Sequence, residues 1–478
     1  MTRMSALLLL SVVPAVLGAQ PNRNPHQRAL VFMHVTIIDA TGAPAKPDMT
    51  VVIIGGRISA IGKAGRISVP NGSQVVDASS KFLIPGLWDM HVHTSDRVFL
   101  SLFVANGITS VRDMGVSPDG FEQLQQWRKQ IADGALVGPR IIAAGITVDG
   151  RNGRPKSLNV TTESEARQAV ISLKQRGVDF VKVYSMLSRE AYFALADETK
   201  QQGLTFAGHI PVSVSAAEAS DAGQKSVEHL LGVVAACATN EAELLNEARQ
   251  AVAKSGFAAF SRAEVQAEIK SLDTYDEKKA TALFGRFVKN GTWQVPTIVG
   301  FGGVLITDQS FFTSDPRLKY IPVETREAWK AQRLALLKSL PTDFLANRQR
   351  LFQKQLDLTG AMHRAGVQLM AGTDSPGLYV FPGFSLHDEL TLLIKAGLTP
   401  MEALQAATRD PARYAGVLDS LGTIEIGKIA DLVLLEGNPL EEIRNTRKIA
   451  AVVLGGKLLL KSRLEVLLAA VEAAASKN

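Results

Sequence analysis

Cysteine is almost absent: Cys237 is the only one in 478 residues, so no disulfide can form within the chain. Aromatic residues are scarce at 6%, and Lys and Arg outnumber Asp and Glu by only 52 to 46, scattered rather than gathered into a stripe. A nucleic-acid surface needs such a stripe or a stacking platform, and the sequence offers neither. The formal charge of +6 reads as solubility. No apolar run reaches the roughly 18 residues that a membrane-spanning helix needs. No glycine-rich dinucleotide fingerprint follows an early strand, and no repeat or low-complexity tract interrupts the chain. What is present is ordinary globular composition, 46% hydrophobic and 21% charged, long enough for one large domain or a large and a small one.

The first residues read as an export signal. Arg3 supplies the positive start, Ala6 to Val16 a short apolar run, and Leu17-Gly18-Ala19 small residues for cleavage. The expectation is a signal over 1–19 and a periplasmic or secreted protein; a buried N-terminal helix is the alternative. From Ala29 onward, short β-rich runs alternate with Gly, Pro, Asp and Asn, and the stretch from Gly422 to Leu460 answers them. This predicts a small β-sandwich composed of both ends, 29–83 and 411–462, followed by a terminal helix over 463–478. The middle, 84–410, alternates strand-like runs with helical stretches. Its strand candidates are Leu87–His93, Thr109–Gly115, Arg140–Gly145, Phe180–Ser185, Thr205–Ile210, Ser226–Leu230, Trp293–Gly300 and Gln368–Ser375. Eight such units predict an α/β fold, a closed (β/α)8 barrel. The Ala-, Glu- and Lys-rich stretch 238–290 reads as a helical insertion after the sixth strand, either a lid over the active face or added packing.

The chain has only eight histidines, and their placement carries the chemistry. His91 and His93 stand two apart at the end of the first barrel strand, so both imidazoles face inward at the mouth. Neighbouring neutral imidazoles suit a Zn²⁺-class ion, although a pair alone also fits a hydrogen-bonded core. His209 ends the fifth strand, His229 the sixth and Asp374 the eighth. In a closed barrel these ends converge on the face where such folds carry their active sites.

Lys182 sits in the apolar strand Phe180–Ser185, which places its amine inside the barrel. Burial disfavours the ammonium. The neutral amine can add CO₂ to give an anionic carbamate that bridges two cations; an unmodified lysine paired with Asp374 or Glu228 is the other reading. Tyr184, nearer the mouth on the same face, suits contact with substrate or a developing oxyanion, or is a core tyrosine. Asp89 shares the inward face with His91 and His93, one step deeper, where it is placed to support the site by a hydrogen bond. Arg112 and His387 are candidates to support the site or meet the substrate.

These residues, in this order, resemble the amidohydrolase superfamily, in its imidazolonepropionase-like and Xaa-Pro dipeptidase-like branch, to which ochratoxin-hydrolysing amidohydrolases are similar. The motifs are Pro85 to His93, Gly107 to Gly115, Val181 to Ser185, Gly208-His209, Glu228-His229, Gly372 to Asp374 and Gly422 to Val433. The resemblance implies a pair of divalent ions, zinc by expectation. His91, His93 and Asp374 would hold one ion and His209 and His229 the other, with N-carboxylated Lys182 as the bridge. It implies that Asp374 is the proton carrier, and that the substrate is a small amide, a dipeptide, an N-acyl amino acid or an ochratoxin-like amide. A cyclic amide or lactone hydrolase on the same metals is the alternative. A metal-free scaffold would be expected to lack ligands that are all present here. No glutamate follows His209 closely, which argues against the mononuclear deaminase pattern. Homo-oligomers are common in the family, and nothing in these residues decides the point.

Overall fold

A computed structural model describes residues 28–300, 314–339 and 344–477. The proposed signal segment, with Arg3 and Ala6 to Ala19, lies outside them.

The chain opens with β1 (Leu30–Ile37), β2 (Lys46–Ile54), β3 (Arg57–Lys63), β4 (Gln74–Asp77) and β5 (Phe82–Pro85). The barrel strands are β6 (Leu87–Val92), β7 (Ile108–Asp113), β8 (Arg140–Ala143) with its extension β9 (Val148–Asp149), and the short β10 (Leu158–Asn159) in the loop that follows. They continue as β11 (Val181–Val183), β12 (Phe206–Gly208), β13 (Ser226–Glu228) and β14 (Trp293–Val295). The chain then returns as β15 (Leu432–Leu435), β16 (Ile449–Leu454) and β17 (Lys457–Leu460), and ends in the helix Lys461–Ala475.

Both ends of the chain build one β layer. Its strands run in the order β17-β16-β15-β5-β1-β2-β3, with β4 paired to β1 as the eighth. Alternate residues of early and late strands, among them Phe32, Val51, Ile53, Leu83, Leu432 and Val453, share one buried core. The period-2 pattern does this work, because every second side chain turns to the same face. The expected β-rich composite is therefore hydrogen-bonded as one continuous sheet wrapped on that core.

The barrel is a ring of parallel pairings. β6, β7 and β8 form one ladder, and β9, β11, β12, β13 and β14 another. Between the two, the Asp179 amide donates to the Ala143 carbonyl at 2.9 Å. The eighth strand is extended chain rather than a long ladder: Gln294 bridges to Leu369 and Val92 to Ser375, both parallel. The Met90 amide donates to Ala371 at 3.0 Å and the His93 amide to Ser375 at 2.8 Å, which closes the ring. Inside it pack Trp88, Met90, Met114, Phe180, Trp293 and Met370; outside it the helices bury Val181, Val183 and Val227. This filled interior puts open space only at the strand ends.

The helix between β13 and β14 that sequence reading marked as an insertion runs Glu241–Ser271, and Glu277–Asn290 follows it with Asp276 as N-cap.

Candidate metal centre

The structure brings His91, His93, Lys182, His209, His229 and Asp374 to one end of the barrel, each at or beside a strand end. Every imidazole is held from behind through Nδ1. His91 Nδ1 lies 2.8 Å from Glu228 Oε2, His93 Nδ1 2.8 Å from the Gly115 carbonyl oxygen, His209 Nδ1 2.8 Å from Ser185 Oγ, and His229 Nδ1 2.7 Å from Thr297 Oγ1. Such anchors fix ring orientation and leave Nε2 to face the mouth. The rings of His91 and His229 lie 4.4 Å apart, and those of His209 and His229 5.0 Å apart.

Asp374 stands among them. Its Oδ1 lies 3.4 Å from His91 Nε2 and 3.3 Å from His93 Nε2. Ligand atoms of His91, His229 and Asp374 fall within 4.8 Å of one another. His91 Nε2 is buried and makes no hydrogen bond. A buried polar atom without a partner is costly, and a cation among these donors would satisfy it. The donor set of imidazoles and one carboxylate fits a divalent transition metal. Burial is the main cause that holds the His91, His209 and His229 imidazoles well below their ordinary pKa, in the neutral form a metal requires. For Asp374 burial pushes upward, but the His93 hydrogen bond and the charges of His229, His91 and His93 prevail and lower its pKa.

Two glycines make this convergence sterically possible. A Cβ on Gly372 would lie 2.6 Å from Val295 Cγ1 and 3.0 Å from the His91 backbone nitrogen. At Gly208, with φ near +140°, it would lie 2.1 Å from the Val183 carbonyl oxygen and 2.9 Å from Lys182 Cδ. The motif Gly208-His209 therefore clears the path of the lysine stem.

Lys182 is 1% exposed. Burial pushes its amine down to about 7, against the opposing pull of Glu228 and Asp374. Among the described residues no carboxylate forms an ion pair with it, so the paired-lysine reading has no partner in place. Tyr184 is half-buried and stacks on the His209 ring at 4.0 Å, which puts it beside the centre.

The structure decides between support and substrate contact for the three remaining candidates. Arg112 is fully buried and cannot meet substrate. Its guanidinium binds both oxygens of Glu228 at 2.9 Å, Ser226 Oγ at 2.9 Å, the Tyr414 hydroxyl at 3.0 Å and the Met90 carbonyl at 2.7 Å. It thus fixes the carboxylate that fixes His91. His387 is also buried, but its Nδ1 faces Thr446 Oγ1 at 2.9 Å and its Nε2 the Asn106 carbonyl at 3.2 Å. Both nitrogens are used to join the helix Phe384–Lys395 to its neighbours, so His387 neither supports the ligands nor meets substrate. Asp89 accepts from the Thr373 amide at 3.0 Å and hydroxyl at 2.7 Å, bracing the turn that carries Asp374 rather than an imidazole ring. Burial raises its pKa to about 7.

Three further supports leave little trace in the sequence. Thr297 and Ser185 hold His229 and His209, and an isolated hydroxyl just past a strand end gives no signal of that. Glu389 accepts from the Ile298 and Val299 amides at 3.1 and 2.8 Å and so fixes the turn that carries Thr297.

With the geometry in place, the comparisons with known proteins agree. The amidohydrolase family model matches residues 317–459. Imidazolonepropionase of Rhizobium rhizogenes is 25% identical over 409 residues, covering 82% of this chain and 88% of the relative. Ochratoxinase of Aspergillus niger is 36% identical over 100 residues, 20% of each chain. Among solved structures, a putative prolidase from Bifidobacterium longum superposes with a TM-score of 0.67 at 23% identity, covering 93% of this chain and 99% of that one. The chain thus resembles the amidohydrolase family in sequence, over residues 317–459 and along most of an imidazolonepropionase, and shares its fold with a prolidase-like structure. It is a hydrolytic enzyme acting on C–N bonds.

Proposed function

We propose that this enzyme hydrolyses a small amide or peptide bond, that of a dipeptide, an N-acyl amino acid or an ochratoxin-like amide, at a centre built for two divalent ions. The observation that carries the proposal is the common anchoring of four imidazoles through Nδ1 around Asp374, beside a buried lysine that forms no ion pair among the described residues. His91, His93 and Asp374 would hold one ion, His209 and His229 the other, and a Lys182 carbamate would join them. Zinc suits this donor set.

A bound pair supplies Lewis acidity, which makes water acidic near neutral pH and polarises the scissile carbonyl. The protein's own part is to place and protonate. Asp374 Oδ1, facing His91 and His93, accepts the proton of the attacking water and returns it to the leaving nitrogen. Glu228 and Arg112 keep the His91 ring from turning. Tyr184 borders the space where the carbonyl oxygen becomes an oxyanion. Export to the periplasm or beyond belongs to the same proposal and rests on the segment from Arg3 to Ala19.

Dipeptides and N-acyl amino acids are expected to be cleaved with release of a free amino acid, read by amine detection and mass spectrometry. Cleavage confined to cyclic amides or lactones would favour the ring-opening alternative, and no turnover across all three classes would overturn amide hydrolysis.

A further inference from the structure

The loop after the third barrel strand, Asp149-Gly150-Arg151-Asn152-Gly153-Arg154, is closed around a buried carboxylate. Asp149 Oδ1 accepts from the Gly150 and Met186 amides at 2.9 and 2.8 Å, and Oδ2 from the Arg154 amide at 2.6 Å. Both glycines are required. A Cβ on Gly150 would lie 1.8 Å from the Met186 carbonyl oxygen, and one on Gly153 2.2 Å from Asp149 Oδ2. The loop is thereby fastened to the segment that directly follows Tyr184, and Arg154 cannot drift from it.

The fastening sets the Arg154 guanidinium 5.5 Å from the centroid of the Tyr184 ring, and that ring stacks on His209. Arg154 is half-buried, and among the described residues no carboxylate lies within ion-pair distance of its guanidinium. Beside it opens a cleft of about 310 Å³, lined by His93, Ser117, Trp127, Arg154 and Lys156, with no acidic side chain in its wall. Its wall thus joins an imidazole of the metal centre to two cationic side chains. A guanidinium against an aromatic ring, desolvated on one side and unpaired, is a receptor for a planar anion.

We infer that Arg154 is a specificity-determining residue, which holds the carboxylate of the amino-acid half of the substrate in the cleft between His93 and Lys156. The inference rests on the amide-hydrolase reading for what the substrate is, but its test does not need turnover. A scissile amide lying at the centre with its carboxylate in the cleft leaves the acyl group on the opposite side of the mouth. The enzyme would then reject the same compound once the acid is capped as a carboxamide.

The test is calorimetric binding of free amino acids with small, aromatic and imino side chains, each paired with its carboxamide, to the metal-loaded full chain. The wild type is expected to bind at least one acid about 10-fold or more tighter than its carboxamide. Arg154→Met should lose that preference with carboxamide affinity and metal content unchanged, and Arg154→Lys should keep part of it. A wild type with no acid preference, an R154M variant that retains it, or one that weakens acid and carboxamide alike would overturn the inference; the last would mean that Arg154 only props Tyr184. If acids bind as expected while no N-acyl amino acid is cleaved, the amide-hydrolase reading fails and the anion site stands.

Discussion

Lys182→Ala is expected to lose the metal pair and at least about 10³-fold in kcat/KM, on the order of 4 kcal/mol of transition-state stabilisation. The lysine is sealed inside the barrel without a carboxylate partner among the described residues, and its stem runs over Gly208, where no Cβ fits. Burial disfavours an ammonium there, and the nearby charges of Glu228 and Asp374 offset that cost only in part. The neutral amine can add CO₂, with nitrogen attacking carbon and a proton released, and the resulting carbamate is an anion in the middle of four imidazoles. Alanine removes the bridge but leaves its space. Acetate or propionate should therefore restore part of both activity and metal content, whereas Lys182→Met, which fills the space, should show no rescue. Circular dichroism separates either result from misfolding. Full activity and metal in Lys182→Ala would sink the carbamate.

The second large effect falls on stability. Arg112→Met strands the Glu228 carboxylate, fully buried and, among the described residues, left with only His91 and Ser226 as hydrogen-bond partners. Breaking a buried pair from one side costs about 3–5 kcal/mol, much more than replacing both partners. The thermal midpoint should fall sharply, and Arg112→Met with Glu228→Gln should recover part of the loss. Had Arg112 been a substrate contact, the single variant would raise KM and leave the unfolding midpoint in place; that outcome would contradict the clamp.

The ligand-bearing strand ends were legible because chemistry and periodicity coincide there. A histidine or aspartate that follows an apolar run has one physical place to go in a closed barrel. The β-rich ends were legible for the same reason, through alternation. Simple alternation fails in β6, where the pairing with β7 shifts register between Leu87 and Trp88 and again between Asp89 and Val92. There Asp89 accepts from the His91 amide at 3.3 Å as well as from Thr373, so it braces backbone and turn rather than a ring. Sequence leaves open whether Arg112 and His387 support the site or meet the substrate, because it shows a polar residue near the site but not its depth; only the partners reveal that one is a clamp and the other a strut. Arg154 escaped notice because Asp149 to Arg154 reads as an ordinary polar turn. Its meaning appears when Asp149 is found buried and both glycines crowded. The eighth strand was readable from Gly372-Thr373-Asp374 although its ladder is reduced to bridges at its two ends.

The most direct test of the account is the metal content of the purified chain by elemental mass spectrometry, with amide hydrolysis followed on the same samples. About two divalent transition-metal ions per chain are predicted, lost together with activity on chelation and restored together on reloading. A folded chain that hydrolyses an amide at full rate with far less than one ion bound would contradict the metal-centre reading.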